Sequence, residues 1–330
     1  MSSPKHIIVT GGAGFIGAHL VERLLHDGKK VIVIDDFSTG SPDNLAEAKT
    51  HARFRLIHSK ISSVAELPQL VAEAEFIFHL AATVGVELVV NSALHVLEAS
   101  FHETQVLLRA AAQATTPILL TSSSEVYGKS AKPEFGEEDD LLIGPPGQAR
   151  WSYACSKLTD EFLALAYTRE KGLPVTIVRL FNTVGPRQTG RYGMVLPRFI
   201  AAAKTGAPLK VFGDGTQSRC FCLVHDVVEA LVRLQQCAAA RGEIFNIGGT
   251  EEISIMELAK RVIGTLGSSS KIELIPYDKA YPTSPGETGL SHAAVFEDMR
   301  RRKPLVEKLE RFVHFKPQTT LGEIIRVTAK

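Results

Sequence analysis

HIIVTGGAGFIGAHLVERLL, residues 6–25, is the stretch that decides the fold. Its first residues form an apolar run that predicts a strand, and the apolar residues after Gly14 recur at a helical spacing. Gly11, Gly14 and Gly17 follow one another at every third position across the junction. Gly11 would turn the chain, Gly14 would let backbone N–H groups approach a pyrophosphate at the helix N-terminus, and Gly17 would let helix and strand pack closely. The stretch therefore predicts a dinucleotide-binding strand–turn–helix unit.

A second strand, VIVID at 31–35, ends in Asp35, as the dinucleotide interpretation requires. A carboxylate at this position can accept hydrogen bonds from both ribose hydroxyls of adenosine and would repel a 2′-phosphate, which favours NAD over NADP. The alternative to a dinucleotide site is that the glycines form an ordinary strand-to-helix turn and that Asp35 is simply an acidic residue in a turn.

Strands and helices alternate through the following residues. Further strands are predicted at 54–57, 76–82, 117–124 and 175–182, and helices at 94–114 and 151–167. Buried strands that alternate with helices predict an α/β fold with a doubly wound parallel sheet, the Rossmann arrangement. Because 330 residues are many for one core, we expect two lobes. These are an NAD-binding lobe at 1–182, to which residues 220–250 or so return, and a smaller mixed α/β lobe, mainly 183–330.

Composition excludes several classes of protein. The 37 basic and 36 acidic residues give a net charge of +1, which argues against a broad electrostatic grip on nucleic acid or on anionic lipid. No basic-then-apolar leader and no run of about eighteen apolar residues is found, so we expect a soluble, cytoplasmic protein that does not enter a membrane. The four cysteines lack metal-site spacing, and we expect reduced thiols and no metal. They are Cys155, Cys220, Cys222 and Cys237.

Candidate catalytic residues follow the fifth strand. TSSSEVYG at 121–128 lies where polar residues at the carboxyl end of a parallel strand meet a ligand. In the next helix, Tyr153 and Lys157 are four residues apart and share a face. A lysine ammonium favours the phenolate, as a nicotinamide cation would. Tyr153 would then take a proton from a sugar hydroxyl that Ser123 holds, while hydride leaves the same carbon for NAD.

The second half of the chain carries scattered arginines and irregular loops. Arg219 is the leading candidate to bind a diphosphate, against the alternative of a surface charge. The basic cluster at 300–303 is either a surface patch or reaches the same phosphates. Residues 281–294 read as a mobile loop, and the acidic run at 137–140 reads as solvated.

Motifs spread through nearly the whole chain carry a family resemblance: TGGAGFIG, DDFSTG, HLAA, SSSEVYG, YACSK, RLFNTVGPR, VFGDGTQSRCF, VHD and FNIG. The chain resembles the extended short-chain dehydrogenase/reductases that act on nucleotide-activated sugars. The resemblance implies a Rossmann lobe with NAD and a C-terminal lobe for a nucleoside diphosphate sugar, most simply a UDP-sugar. It also implies a homodimer through a four-helix bundle built from the helices near 94–114 and 151–171.

Transferred residue by residue, the resemblance predicts the site. The catalytic residues are Ser123, Glu125, Tyr153 and Lys157. The cofactor-binding residues are Gly11, Gly14, Phe15, Ile16, Gly17, Asp35, Asp36, Ser38, Thr39, Gly40, Leu80, Ala81, Ala82, Tyr153 and Lys157. The substrate-binding residues are Ser124, Asn182, Arg191, Arg219 and Arg302.

Some positions depart from the family pattern. Ser124 precedes Glu125 where the dehydratases have Asp before Glu, so simple 4,6-dehydration is not expected. Lys60 replaces an Asp that usually meets adenine, and Ser100 replaces the Asn of N-x-x-G-T. Leu305 replaces the usual Asp after the basic-Pro pair, which weakens the assignment of Arg302.

Three functions stay open. The first, favoured by Glu125 and by the GDGTQSRCF stretch, is NAD-dependent decarboxylation of UDP-glucuronate to a UDP-pentose through a 4-keto intermediate. The second is 4-epimerisation of UDP-glucuronate or UDP-glucose, which needs only Ser123, Tyr153, Lys157 and NAD. The third is a regulator that binds NAD without turnover.

Overall fold

A computed structural model describes residues 5–82, 93–148, 150–189, 194–276 and 301–330. Two sequence predictions, the substrate ligand Arg191 and the loop at 281–294, lie outside these residues. Within them, no helix is long and apolar enough to cross a membrane. All four cysteines are free thiols, as predicted.

A seven-stranded sheet forms the centre of the molecule. Its strands are β1 (His6–Thr10), β2 (Val31–Asp35), β3 (Phe54–His58), β4 (Ala74–His79), β5 (Ile118–Ser123), β6 (Val175–Leu180) and β11 (Ile244–Ile247). They lie in the order β11-β6-β5-β4-β1-β2-β3, and every pairing is parallel. The predicted doubly wound fold is confirmed. From β1 the strand order runs outward through β2 to β3 on one side and from β4 outward on the other, and such folds bind ligands at the point where the strand order reverses.

Helices cover both faces of the sheet. They are α1 (Phe15–His26), α2 (Leu67–Ala72), α3 (Ala93–Ala114), α4 (Arg150–Lys171) and α6 (Val224–Gln236). Ile7 and Val9 of β1 pack with α1 and α6, whereas Ile8 between them packs with α2, α3 and α4. Because successive side chains of a strand point to opposite faces, both faces of β1 must be apolar, and this explains its continuous hydrophobic run.

The smaller lobe has its own apolar core. It contains β8 (Leu209–Phe212), β9 (Ser218–Cys220), β12 (Glu252–Ser254), β13 (Ile272–Ile275), α5 (Val195–Thr205), α7 (Ile255–Leu266) and α9 (Leu321–Thr328). Strand β8 pairs with β13 in parallel, and β9 pairs with β12 antiparallel. A short pair of β7 (Thr183–Val184) and β10 (Cys222–Leu223) joins the lobes, and α8 (Glu307–Val313) returns to the core under the large sheet.

Two expectations are corrected. The strand expected at 76–82 ends at His79, so Leu80–Ala82 follow it as irregular chain. The acidic run at 137–140 is not simply solvated. Glu137 accepts a hydrogen bond from the backbone N–H of Asn246 at 2.8 Å, and burial raises its pKa. Asp139 accepts from the backbone N–H of Gly136 at 2.9 Å. Glu137 therefore ties the long loop after β5 to the sheet, whereas Asp139 stabilises a turn within that loop.

Candidate active site

A cavity of about 910 Å³ lies at the carboxyl ends of the central strands and continues between the lobes. Cavities of roughly 300–1,000 Å³ hold small molecules and cofactors. Except for Gly40 and the undescribed Arg191, every residue predicted for the site lines this cavity. Gly40 lies just behind the lining, where a Cβ would come within 2.8 Å of the carbonyl carbon of Ala13.

The glycines of the first turn shape one end of the cavity. Gly11 has φ +71°, and a Cβ there would lie 2.6 Å from the backbone nitrogen of Ala81, so only glycine fits. Gly14 caps α1 without a side-chain hydrogen bond. The first N–H groups of the helix therefore have no side-chain cap and can bind an anion. This cradle fits the pyrophosphate of a dinucleotide.

Asp35 lies at the adenosine end of the cavity. Its two carboxylate oxygens accept hydrogen bonds from the backbone N–H groups of Ala13 and Phe37, each at 2.8 Å. Burial raises its pKa, but these two bonds oppose that effect. A carboxylate offers about four acceptor positions, so ribose hydroxyls can bind to it as well. Asp36 beside it adds further negative charge, which disfavours a 2′-phosphate.

Tyr153 and Ser123 lie together at the other end. The two hydroxyl groups are hydrogen-bonded, and burial raises the pKa of Tyr153 well above its usual value. The negative charges of Glu125 and Asp160 raise this pKa further, whereas Ser123 and Arg302 lower it. Burial, reinforced by these two carboxylates, therefore keeps the phenol protonated, and additional positive charge in the cavity is required to favour the phenolate.

Lys157 is fully buried one turn after Tyr153. Its ammonium donates a hydrogen bond to the backbone oxygen of Thr121 at 3.2 Å and pairs with Asp160 at 3.5 Å. Of its three donors, these contacts use two, and the third can bind a ligand in the cavity that Lys157 lines.

Glu125 and Arg302 form an ion pair in the same part of the cavity, with 2.5 Å between carboxylate and guanidinium. Backbone hydrogen bonds hold the segment around Arg302, since Phe135 donates to Lys303 at 2.8 Å and accepts from Leu305 at 2.9 Å. This segment places the guanidinium beside Glu125, the predicted catalytic acid. Its predicted contact with the substrate stays a prediction.

The half of the cavity that the second lobe contributes is cationic. In the sequence from Leu180 to Arg302 inclusive, the described residues that line the cavity include four arginines and one lysine but no acidic residue. These cations are Arg187, Arg198, Lys210, Arg219 and Arg302. Such a surface suits an anionic group such as a diphosphate.

Comparison with known proteins assigns the family. The sequence profile of the NAD dependent epimerase/dehydratase family matches residues 7–248. The chain belongs to this family. The predicted resemblance is thereby confirmed, and NAD is the cofactor that the glycine cradle and Asp35 fit.

Relatives of this epimerase/dehydratase include both decarboxylases and epimerases. The chain is 39% identical over 325 residues to a UDP-N-acetyl-alpha-D-glucosaminuronate decarboxylase of Bacillus cytotoxicus, covering 98% of this chain and 96% of the relative. It is 34% identical to UDP-glucuronic acid decarboxylase 6 of Arabidopsis thaliana, covering 97% and 87%. Among solved structures, a UDP-glucuronic acid 4-epimerase of Bacillus cereus, in complex with UDP-glucuronic acid and NAD, has a TM-score of 0.84 at 27% identity, with 98% of both chains covered. The chain is therefore an NAD-dependent enzyme, and the third hypothesis, a regulator without turnover, is not supported.

Sequence reasoning missed some residues of the site. Arg187 and Arg198 line the cavity from the second lobe, where neither strand nor helix periodicity marks them. Asp160, three residues after Lys157, is fully buried in contact with it. The only sequence signal for this contact is the i,i+3 spacing on one helix. Lys60, one of the departures from the family pattern, lines the cavity near the adenosine end.

Proposed function

We propose that the protein decarboxylates a UDP-hexuronate through a 4-keto intermediate. UDP-glucuronate would give a UDP-pentose, and its 2-acetamido analogue would give the corresponding acetamido pentose. The observation that carries this proposal is the Glu125–Arg302 ion pair beside Tyr153. The decarboxylases at 39% and 34% identity support it.

The first stage removes two hydrogens from C4 of the sugar. Ser123 would hold the C4 hydroxyl by a hydrogen bond, and Tyr153 would accept its proton. Lys157 stabilises the Tyr153 phenolate that must form before it can accept this proton. When bound, NAD supplies an acceptor for the C4 hydride and later returns it, and its positive charge helps to lower the pKa of Tyr153.

The second stage breaks the bond between C5 and the carboxyl group. A ketone at C4 makes the sugar a β-keto acid, so carbon dioxide can leave and its bonding electrons pass into an enolate. The Arg302 cation can stabilise that negative charge because it lies in a partly shielded site. C5 then takes up a proton, which Glu125 or a water molecule held by it can relay from solvent.

The alternative is 4-epimerisation, in which the 4-keto sugar rotates and is reduced on its other face. Ser123, Tyr153 and Lys157 suffice for that reaction, and the similarity to the Bacillus cereus 4-epimerase structure supports it. Rotation and reduction create no carbanion and need no proton at C5. An acid–arginine pair beside Tyr153 therefore favours decarboxylation.

Mass spectrometry of the nucleotide sugar tests the proposal. The purified protein would be incubated with NAD and either UDP-glucuronate or UDP-N-acetylglucosaminuronate. A product lighter by carbon dioxide supports decarboxylation, and an isomer of unchanged mass supports epimerisation. If neither substrate reacts, the proposal is wrong.

We also infer a cytoplasmic homodimer. Helices α3 and α4 pack side by side and present Leu97, Phe101 and Phe162 to solvent, with Phe162 63% exposed. Large apolar groups exposed together favour burial against a second copy. The four free thiols favour a reducing compartment.

A further inference from the structure

Asp160 is a buried carboxylate to which the proposed chemistry assigns no role. It follows Lys157 by one turn of α4, and 3.5 Å separates its carboxylate from the ammonium. The Lys157 side chain is 3% exposed and that of Asp160 is 0% exposed. Pairs at this spacing are common on helix surfaces, but a buried pair is unusual because each ion loses its hydration.

Polar groups from two other elements surround this pair. Burial raises the pKa of the Asp160 carboxylate, and the nearby hydroxyls of Ser100 and Thr104, both on α3, oppose that effect. Its Oδ1 has no hydrogen-bond partner among the described residues. The Thr104 hydroxyl also contacts Nε2 of His79 on β4 at 3.0 Å. Asp160 thus lies in a polar pocket next to Lys157, and Ser100 of this pocket lines the cavity whereas Asp160 does not.

A buried ion pair is weak evidence for a stabilising role. Well-packed apolar residues of similar volume are often as stabilising as a buried ion pair. A buried charge next to a catalytic group, in contrast, changes the pKa of that group. Ser100 belongs to the same pocket and replaces the larger Asn that the family pattern predicts there.

We propose that Asp160 is a positioning residue for the catalytic pair: it holds the Lys157 ammonium in place and offsets its positive charge at the Tyr153 phenol. The proposal rests on the proposed function in one respect, that Tyr153 is the base. Lys157 favours the phenolate and Asp160 favours the phenol, so their balance decides how readily Tyr153 gives up its proton. The contribution of Asp160 has the same sign as that of Glu125.

The groups around Asp160 and Tyr153 determine in which direction the pKa of Tyr153 changes when the charge of Asp160 is removed. His79 is buried beside Lys157, and its pKa is lowered to about 3 by burial first and by Lys157 second, so it stays neutral at working pH. Ser100 and Thr104 on α3 do not titrate, and Arg302 stays charged at any pH of interest. Removing the negative charge of Asp160 therefore lowers the pKa of Tyr153.

The test compares Asp160→Asn with a matched control on the same helix. Glu161 is also a buried carboxylate, and it pairs with Arg179 at 2.8 Å. Asp160→Asn is expected to move the limb of the kcat–pH profile that reports Tyr153 to lower pH, by about one unit, with little change in KM. Glu161→Gln is expected to lower the thermal midpoint without moving the profile. Asp160→Glu restores the charge and should return the profile toward that of the wild type.

A second readout does not need turnover. The difference in ultraviolet absorbance between each protein and its Tyr153→Phe counterpart follows ionisation of this phenol. Its onset should come at lower pH in Asp160→Asn than in the wild type. If the wild type does not act on UDP-hexuronates, the proposed function fails while this titration still tests Asp160.

The role of Asp160 would be overturned if Asp160→Asn had the same kcat–pH profile and the same Tyr153 titration as the wild type. Should Asp160→Asn not fold, Ser100→Asn/Asp160→Ser supplies a neutral pocket of similar volume, and the same shift is expected. If neither variant folds, Asp160 has a structural role and the proposal is wrong.

Discussion

Substitution of Arg302 separates the two stages of the proposed reaction. In Arg302→Gln the cation beside Glu125 is lost, but Ser123, Tyr153 and Lys157 remain. Oxidation at C4 should therefore continue, whereas loss of carbon dioxide should slow because the enolate is no longer stabilised. Reduced dinucleotide is expected to accumulate when the variant meets a UDP-hexuronate.

The size of the effect follows from the setting of the ion pair. The side chains of Arg302 and Glu125 are 12% and 19% exposed, so the site is neither bulk water nor dry interior. At an effective dielectric constant of about 20, charges about 4 Å apart interact by about 4 kcal/mol. Loss of that interaction in the transition state corresponds to about a thousandfold in kcat. We expect carbon dioxide release to fall by at least about a hundredfold, the lower range for such losses.

The assay follows carbon dioxide and reduced dinucleotide in the same reaction. Arg233→Gln is the matched control, since Arg233 forms a 2.5 Å ion pair with Glu229 on α6, away from the cavity. It should change kcat less than twofold or so. The assigned role of Arg302 is refuted if its loss slows carbon dioxide release less than about tenfold, or changes KM alone.

Three further predictions concern the base, acid stability and assembly. Tyr153→Phe should lower kcat by about 10²–10⁴-fold at an unchanged thermal midpoint, and an active variant would show that Tyr153 is not the base. Burial lowers the pKa of His19 to about 4. Because the unfolded histidine titrates near 6.5, stability is complete above pH ~6.5 and falls by up to about 3 kcal/mol toward pH ~4. Denaturant titrations at both pH values should show a smaller loss in His19→Gln, and exposed His26→Gln should behave like the wild type. Phe162→Glu should give monomers by light scattering, while Leu274→Glu, on an exposed strand of the other lobe, should not; equal masses for the two variants would contradict the assigned interface.

Sequence patterns predicted the large sheet well because the strands of a buried parallel sheet are recognisable as short apolar runs. Buried strands such as VIVID are apolar up to their last residue, and Gly11 of the first turn has a positive φ that favours glycine. The positions of Ser123, Tyr153 and Lys157 also followed, since strand ends and helix faces are fixed by periodicity.

Contacts between distant segments could not be predicted in this way. The partner of Glu125 is Arg302, which comes 177 residues later and reaches it only because the chain returns along Phe135. Glu137 was expected in solvent, but Asn246 on the last strand of the sheet binds it. The burial of Asp160 depends on Ser100 and Thr104 of another helix. These pairings depend on tertiary packing, which residue spacing does not encode.

The most direct test of the account follows deuterium through the reaction. UDP-glucuronate carrying deuterium at C4, or its 2-acetamido analogue, would be turned over with NAD in ordinary water, and unlabelled substrate would be turned over in heavy water. Mass spectrometry and NMR of the nucleotide sugar should show that the C4 label returns to the UDP-pentose and that a single solvent deuterium enters at C5. Loss of the C4 label, or a decarboxylated product without solvent deuterium, would contradict hydride transfer at C4 followed by protonation at C5.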